Sequence, residues 1–204
     1  MRTDHLDATH LQRLVASARR LASDFDQGVF LPLLEADVDS YLLHILLAQH
    51  AYPASELHQN ARLLGLNARR FDLVAGRIDL EPASGERAAA TNPELVVQGK
   101  FFPRWGFTAQ QQNVHLGHVV DDDIPTLGEV RKRWPKTATC ALLVDLYFTP
   151  NLRGYLSGRI GGHRRIDTLV EQCKAAGAAV IWVHPESESE TSVDVFNVAG
   201  EERH

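Results

Sequence analysis

Four side chains stand out because their types are costly where their spacing puts them. Asp72 interrupts the apolar run from Arg70 to Ala75, and Gln98 and Lys100 interrupt the run from Glu94 to Phe102. A strand interior seldom takes a carboxylate, an amide or an amine for stability alone, since each has to leave water. In the second run Val96, Gln98, Lys100 and Phe102 fall on one face and Leu95, Val97 and Phe101 on the other, so the amide and the amine point the same way. Glu35 is the fourth. It shares a helical line with Val38, Leu42 and Leu46, which puts it at the border of a buried stripe facing the sheet, while Asp37 and Asp39 are expected to turn further away. Acids, an amide and an amine retained at such a cost are candidates for binding and catalysis. Each also has a structural alternative. Asp72 can pair with Arg69 or Arg70, Lys100 can reach outward from a strand end, Gln98 can satisfy a sheet edge, and the helix acids can favour a helix N-terminus.

The elements that would position these groups follow from periodicity. Leu11, Leu14, Val15, Ala18 and Leu21 make one face of a helix from His10 to Ala22, and Gly28 marks its end. Pro32 suits the first turn of a second helix, whose stripe is Leu34, Val38, Tyr41, Leu42, Ile45 and Leu46 and which stops near Pro53. Strands are expected from Glu56 to Leu64 and from Arg70 to Ala75, turned at Gly65 and Asn67 into a hairpin. Asp79 to Pro93 reads as a long exposed loop, and Glu94 to Phe102 as the next strand. Thr108 to Val120 is expected to be helical and to be broken by Asp121, Asp122 and Asp123, with Thr126 and Glu129 forming a capping box for a short helix to Arg133. Thr139 to Phe148 is a buried strand, Tyr155 to Arg165 a loop, Ile166 to Ala176 a helix closed by Gly177, Ala178 to Val183 another buried strand, and Asp194 to Val198 an edge strand. The whole implies an α/β fold with a mixed sheet flanked by helices.

A helix carrying an acid, a hairpin strand carrying an aspartate, a neighbouring strand carrying the Gln-x-Lys pair, then a helix and a further strand: this order resembles the PD-(D/E)XK phosphodiesterase superfamily, over about Leu31 to Val183. The resemblance implies a restriction-endonuclease-like αβββαβ core, a single nuclease-like domain over residues 1–204, and residues 1–30 as an N-terminal helical extension. It implies a nuclease that hydrolyses DNA with a water activated by Mg2+ or Mn2+, a hard cation that takes oxygen ligands and keeps several waters. Asp72 would be the main anionic ligand, Gln98 would offer its side-chain carbonyl and Gly99 its backbone carbonyl, and Glu35 would hold a metal water or a second ion. Lys100 would orient the attacking water and stabilise the phosphate in the transition state. DNA would meet Arg69, Arg70, Arg104, Gln111, Arg164 and Arg165, and a homodimer is compatible with the same reading. The chain departs from the family at Gln98, where a carboxylate is usual. A tolerated natural variant, an engineered inactive form and a family member that binds without cutting all remain open. The alternative function is therefore a catalytically inactive nuclease-fold module that binds DNA or protein.

The totals set bounds. A chain of 204 residues with a formal net charge of -5 lacks the strong positive balance of proteins that hold nucleic acid by bulk electrostatics, although an acidic metal site is compatible with it. Cys140 and Cys173 form neither a C-x-x-C motif nor a disulfide framework, and no long apolar run or leader is visible, so a cytoplasmic location is expected. Other candidates are weaker. His115 and His118 lack a third ligand at a helical offset; Arg153, Arg159, His163, Arg164 and Arg165 make a basic patch; Asp145 and His184 sit at strand ends, where an unrelated α/β enzyme could keep its chemistry.

Overall fold

The first helix is longer than its apolar stripe. In the computed structural model, which describes residues 4–50, 52–63, 65–66, 69–79, 89–102, 109–147 and 166–197, α1 spans Asp4–Asp26. Leu11, Leu14, Val15, Ala18, Leu21 and Ala22 are buried against the sheet, so α1, which lies within residues 1–30, packs on the core. α2 (Glu35–Gln49) starts later than Pro32. Its start is held by Asp37, whose Oδ2 accepts the backbone N–H groups of Leu33 and Leu34 at 2.9 Å each, which is the structural role foreseen for one of the helix acids.

β1 (Leu57–Arg62) and β2 (Arg70–Asp79) form the expected antiparallel hairpin. β2 runs past Ala75 to Asp79, and β3 spans Ala89–Phe101, so the ends of the expected loop are paired strand: Arg77 meets Asn92, and Ile78 meets Ala90. The register shifts at Gly76, whose φ of 146° and backbone packing, 2.5 Å from a would-be Cβ to the Asn92 carbonyl oxygen, admit no side chain. α3 (Ala109–His118) does not break at the aspartate triplet. It passes through a π-helical turn (Val119–Asp123) directly into α4 (Ile124–Arg133). Thr126 therefore lies inside a helix, donating to the Asp122 carbonyl four residues back at 2.7 Å, and no capping box opens there. β4 (Ala138–Val144), α5 (Ile166–Ala176), β5 (Ala179–Ser187) and β6 (Glu190–Phe196) complete the order; β6 begins earlier than the edge strand expected at Asp194. Residues 148–165 lie outside the described residues, so the loop expected from Tyr155 to Arg165 does too.

Among the described residues the strands make one mixed sheet in the order β1-β2-β3-β4-β5-β6, with β3, β4 and β5 parallel and the remaining pairs antiparallel. Parallel strands covered on both faces are continuously apolar, and β4 is buried at all of its positions. One core lies between the sheet and α1 and α2, with Leu95, Val97, Leu142 and Ile181 pointing into it. The other lies under α3, α4 and α5, with Val96, Ala141, Leu143 and Val180. The result is a helix–sheet–helix sandwich. Among the described residues no helix is long and apolar enough to cross a membrane.

Candidate functional site

The pairing of β2 with β3 stops at Leu73 and Val97. Beyond that point the two strands part, and backbone N–H groups that would have continued the ladder need other partners. Side chains supply them. Asp72 N–H donates to Gln98 Oε1 at 3.2 Å, and Gly99 N–H donates to Asp72 Oδ2 at 2.7 Å. One step further along β3, Phe101 N–H donates to Glu35 Oε2 at 3.3 Å. The polar residues of the two strands and the acid of α2 thus occupy a fork in the sheet. Opposite Asp72, between the paired residues Gln59 and Ala61 of β1, Asn60 has a φ of 54°, a left-handed conformation that marks a local turn in the strand.

β3 delivers Gln98 and Lys100 to one face, as alternation requires, and Gly99 to the other. Lys100 Nζ lies 3.7 Å from Glu35 Oε1, so the amine and the helix acid form an ion pair with both side chains partly shielded. A Cβ placed on Gly99 would lie 3.4 Å from Asp39 Oδ1 and 3.8 Å from Asp72 Oδ2. Two carboxylates therefore face a single point, which a side chain at position 99 would occupy in ordinary contact with both. Asp39 is thus a member of the cluster, contrary to the expectation that it turns away. It sits one helical turn after Glu35, and residues four apart share a face, so that spacing was the available signal.

The electrostatics are those of uncompensated acids. Burial, with Asp72 and Glu35 close by, pushes Asp39 up to about 7 against the pull of Lys100. Burial also raises Asp72 to about 6, with Glu35 and Asp123 adding to it, although the Gly99 N–H and Lys100 favour its charged form. Asp123 is a second residue missed from the sequence. It was expected to help break a helix, but it has helical backbone angles and no cap hydrogen bond, and its Oδ1 accepts Gln98 Nε2 at 3.3 Å. Burial raises its pKa, and Asp122 and Glu35 act in the same direction. Nothing in the local sequence signals the π-turn that brings it there. His115 on α3 is close enough to Lys100 for that charge, after burial, to lower its pKa.

Of the remaining expected residues, those that are described do not converge here. Arg69 donates to the Asp122 carbonyl at 3.2 Å and to the Thr126 hydroxyl, tying β2 to α4 instead of pairing with Asp72. Arg70 and Gln111 are exposed, and Arg104, Arg164 and Arg165, with the rest of the basic patch at Arg153, Arg159 and His163, lie outside the described residues. His118 pairs with Asp122 at 3.1 Å on the surface. Asp145 directly follows β4 and donates its N–H to the Val183 carbonyl, whereas His184 lies inside β5, with its Nε2 3.1 Å from Asp194 Oδ2 and its imidazole packed on Trp182 at 4.1 Å.

Among the described residues no three His, Cys, Asp or Glu side chains form a ready-made metal cage. The donors that do gather, Asp39 and Asp72 around Gly99, suit a hard cation that needs few protein oxygens and keeps its waters. Gln98 is not turned toward that point: its carbonyl accepts from Asp72 and its amide donates to Asp123, an assignment of oxygen and nitrogen that both partners require. Compared with known proteins, the chain matches no family model, no curated protein and no solved structure.

Proposed function

We propose that the chain is a Mg2+- or Mn2+-dependent nuclease of the PD-(D/E)XK type, acting on DNA in the cytoplasm. The observation that carries this reading is the gathering of Asp39 and Asp72 on one side of Gly99, with Lys100 held nearby by Glu35. The element order around it, helix, three strands, helix, strand, agrees with the αβββαβ core of that superfamily. The two unpaired, buried cysteines suit a reducing compartment.

Asp72 and Asp39 would hold the cation, with the Gly99 backbone carbonyl next to them. When bound, the cation supplies charge neutralisation at the phosphate and lowers the pKa of a coordinated water. Gln98 acts as a brace, fixing the Asp72 backbone. Glu35 spans from the Phe101 N–H to Lys100 and so limits where the amine can go. Lys100 stabilises the additional negative charge that the phosphate develops as the water attacks.

The test is nicking of supercoiled plasmid, with single-stranded DNA and RNA run in parallel, in Mg2+ or Mn2+ and in EDTA. Cleavage is expected only with metal, and Asp72→Ala and Lys100→Ala are expected to abolish it; cleavage that survives both substitutions sinks the assignment. The second reading, a nuclease-fold module that binds without cutting, is favoured by the engagement of Gln98 at both ends. DNA binding by gel shift, with no cleavage under any metal, selects it.

A further inference from the structure

Gln98 stands where a carboxylate would be expected, and its two hydrogen bonds explain why a carboxylate does not fit. The side chain has to accept from the Asp72 N–H and donate to Asp123 Oδ1. An amide does both, whereas a glutamate could only accept and would set two carboxylates against each other at 3.3 Å. Asp123 reaches this place because the helix does not stop at the aspartate triplet. The Ile124 N–H bonds to the Val119 carbonyl, five residues back, and this wider turn changes the angular position of the residues that follow it. Asp123 is left without a capping role, and its carboxylate is directed at β3.

We propose that Asp123 supplies, from the π-helical turn, the negative charge that position 98 lacks, with the Gln98 carboxamide as the tether that holds it at the cation site. It acts as a positioning residue, one side chain removed from the donors around Gly99. The charge is displaced outward by the length of an amide, and the metal site keeps a net acidity that Gln98 alone would forfeit. Asp123 also lies within the electrostatic reach of both Lys100 and Asp72. The inference rests on the reading of the fork as a divalent-cation site.

The test is calorimetric titration of the full chain with Mn2+ alone, comparing wild type, Asp123→Asn, and the swap Gln98→Glu with Asp123→Asn; thermal unfolding of each in EDTA is measured alongside. Loss of a carboxylate next to the ligands typically weakens metal affinity by about 10- to 100-fold, and that is the expected effect of Asp123→Asn. The swap returns a carboxylate to position 98 and lets the new carboxamide at position 123 donate to it, so it is expected to recover most of the lost affinity. Unchanged Mn2+ affinity in Asp123→Asn, with or without a lower Tm, overturns the proposal, because a merely structural tie predicts just that. A loss that the swap does not rescue overturns it too. Should Asp123→Asn fail to fold, the swap decides: folding with Mn2+ bound supports the proposal, and folding without binding or not folding at all refutes it. A wild type that binds no Mn2+ removes the cation site itself, an outcome distinct from failure of the variant comparison and from failure of the cleavage assay.

Discussion

Two acids on the same side of the sheet, Asp24 near the end of α1 and Asp39 on α2, are treated in opposite ways. Asp24 is almost completely buried, yet Arg20 Nε at 2.6 Å and the Tyr41 hydroxyl at 2.7 Å both donate to its Oδ2. Burial would raise its pKa, but these partners overcome that and hold it below the usual carboxylate range. Asp39 has Asp72 and Glu35 for neighbours, and burial with their like charges raises it to about 7. The first is an acid compensated inside the protein, as structural acids are; the second is left for something else to compensate. Carboxylates that destabilise one another in a cleft are where a cation is expected to bind.

Substitutions can break that contrast. The largest expected effect is on chemistry. Asp72→Asn keeps an acceptor for the Gly99 N–H while losing the charge, and metal-dependent cleavage is expected to fall by roughly a hundredfold to a thousandfold. Asp24→Asn, by comparison, is expected to leave the cleavage rate of the folded protein unaltered. On stability the order reverses. Asp24→Asn removes the charge that holds Arg20 and Tyr41 and is expected to cost about 2 kcal/mol in urea unfolding, with no dependence on metal.

Asp39→Asn is expected to stabilise the protein in EDTA at pH 7.5 by about 1 kcal/mol, a discounted figure because the cleft admits solvent. The sign follows from linkage: the folded state keeps the Asp39 proton up to about pH 7, whereas the unfolded chain loses it near the ordinary value of 3.8. The folded state binds more protons between those limits, so the Asp39 contribution lowers stability as pH rises from about 4 to about 7. The gain in Tm from Asp39→Asn should therefore grow across that window in EDTA and reverse in Mn2+; a gain independent of pH would place Asp39 outside the cluster. The smallest effect on the fold belongs to Gly99→Ala. The new methyl makes ordinary contact with Asp39 and Asp72, so stability should change by less than about 1 kcal/mol, yet the rise in Tm on adding Mn2+ should disappear.

Much of this site was legible from spacing. The alternation of β3 put Gln98 and Lys100 on one face, that of Val96 under α3 and α4, where Gln98 reaches Asp123; Lys100 nevertheless meets Glu35 of α2, from the other side of the sheet, across the open fork. Asp39 was legible too, since it lies four residues from Glu35, although the apolar stripe beside it runs through Val38. Asp123 was not legible. An aspartate two residues before Pro125 has the local signature of a helix start, and only the packing of α3 and α4 as one continuous helix overrides it. The loop expected between Asp79 and Pro93 failed at its ends for a similar reason: Asn92 and Pro93 look like turn residues, but the shifted register at Gly76 lets β3 begin before them.

Taken alone, the sequence determined the periods: the stripe of α1, the buried runs of β4 and β5, the hairpin, and the faces of β3. These depend on neighbours a few residues away, and so they survive without knowledge of the rest. Tertiary structure decided which polar groups meet. The fork between β2 and β3 leaves N–H groups that Asp72, Gln98 and Glu35 then satisfy, and it opens the point at Gly99 toward which Asp39 turns. A partner 26 or more residues away is selected by where strands separate and helices pack, and no local propensity carries that information.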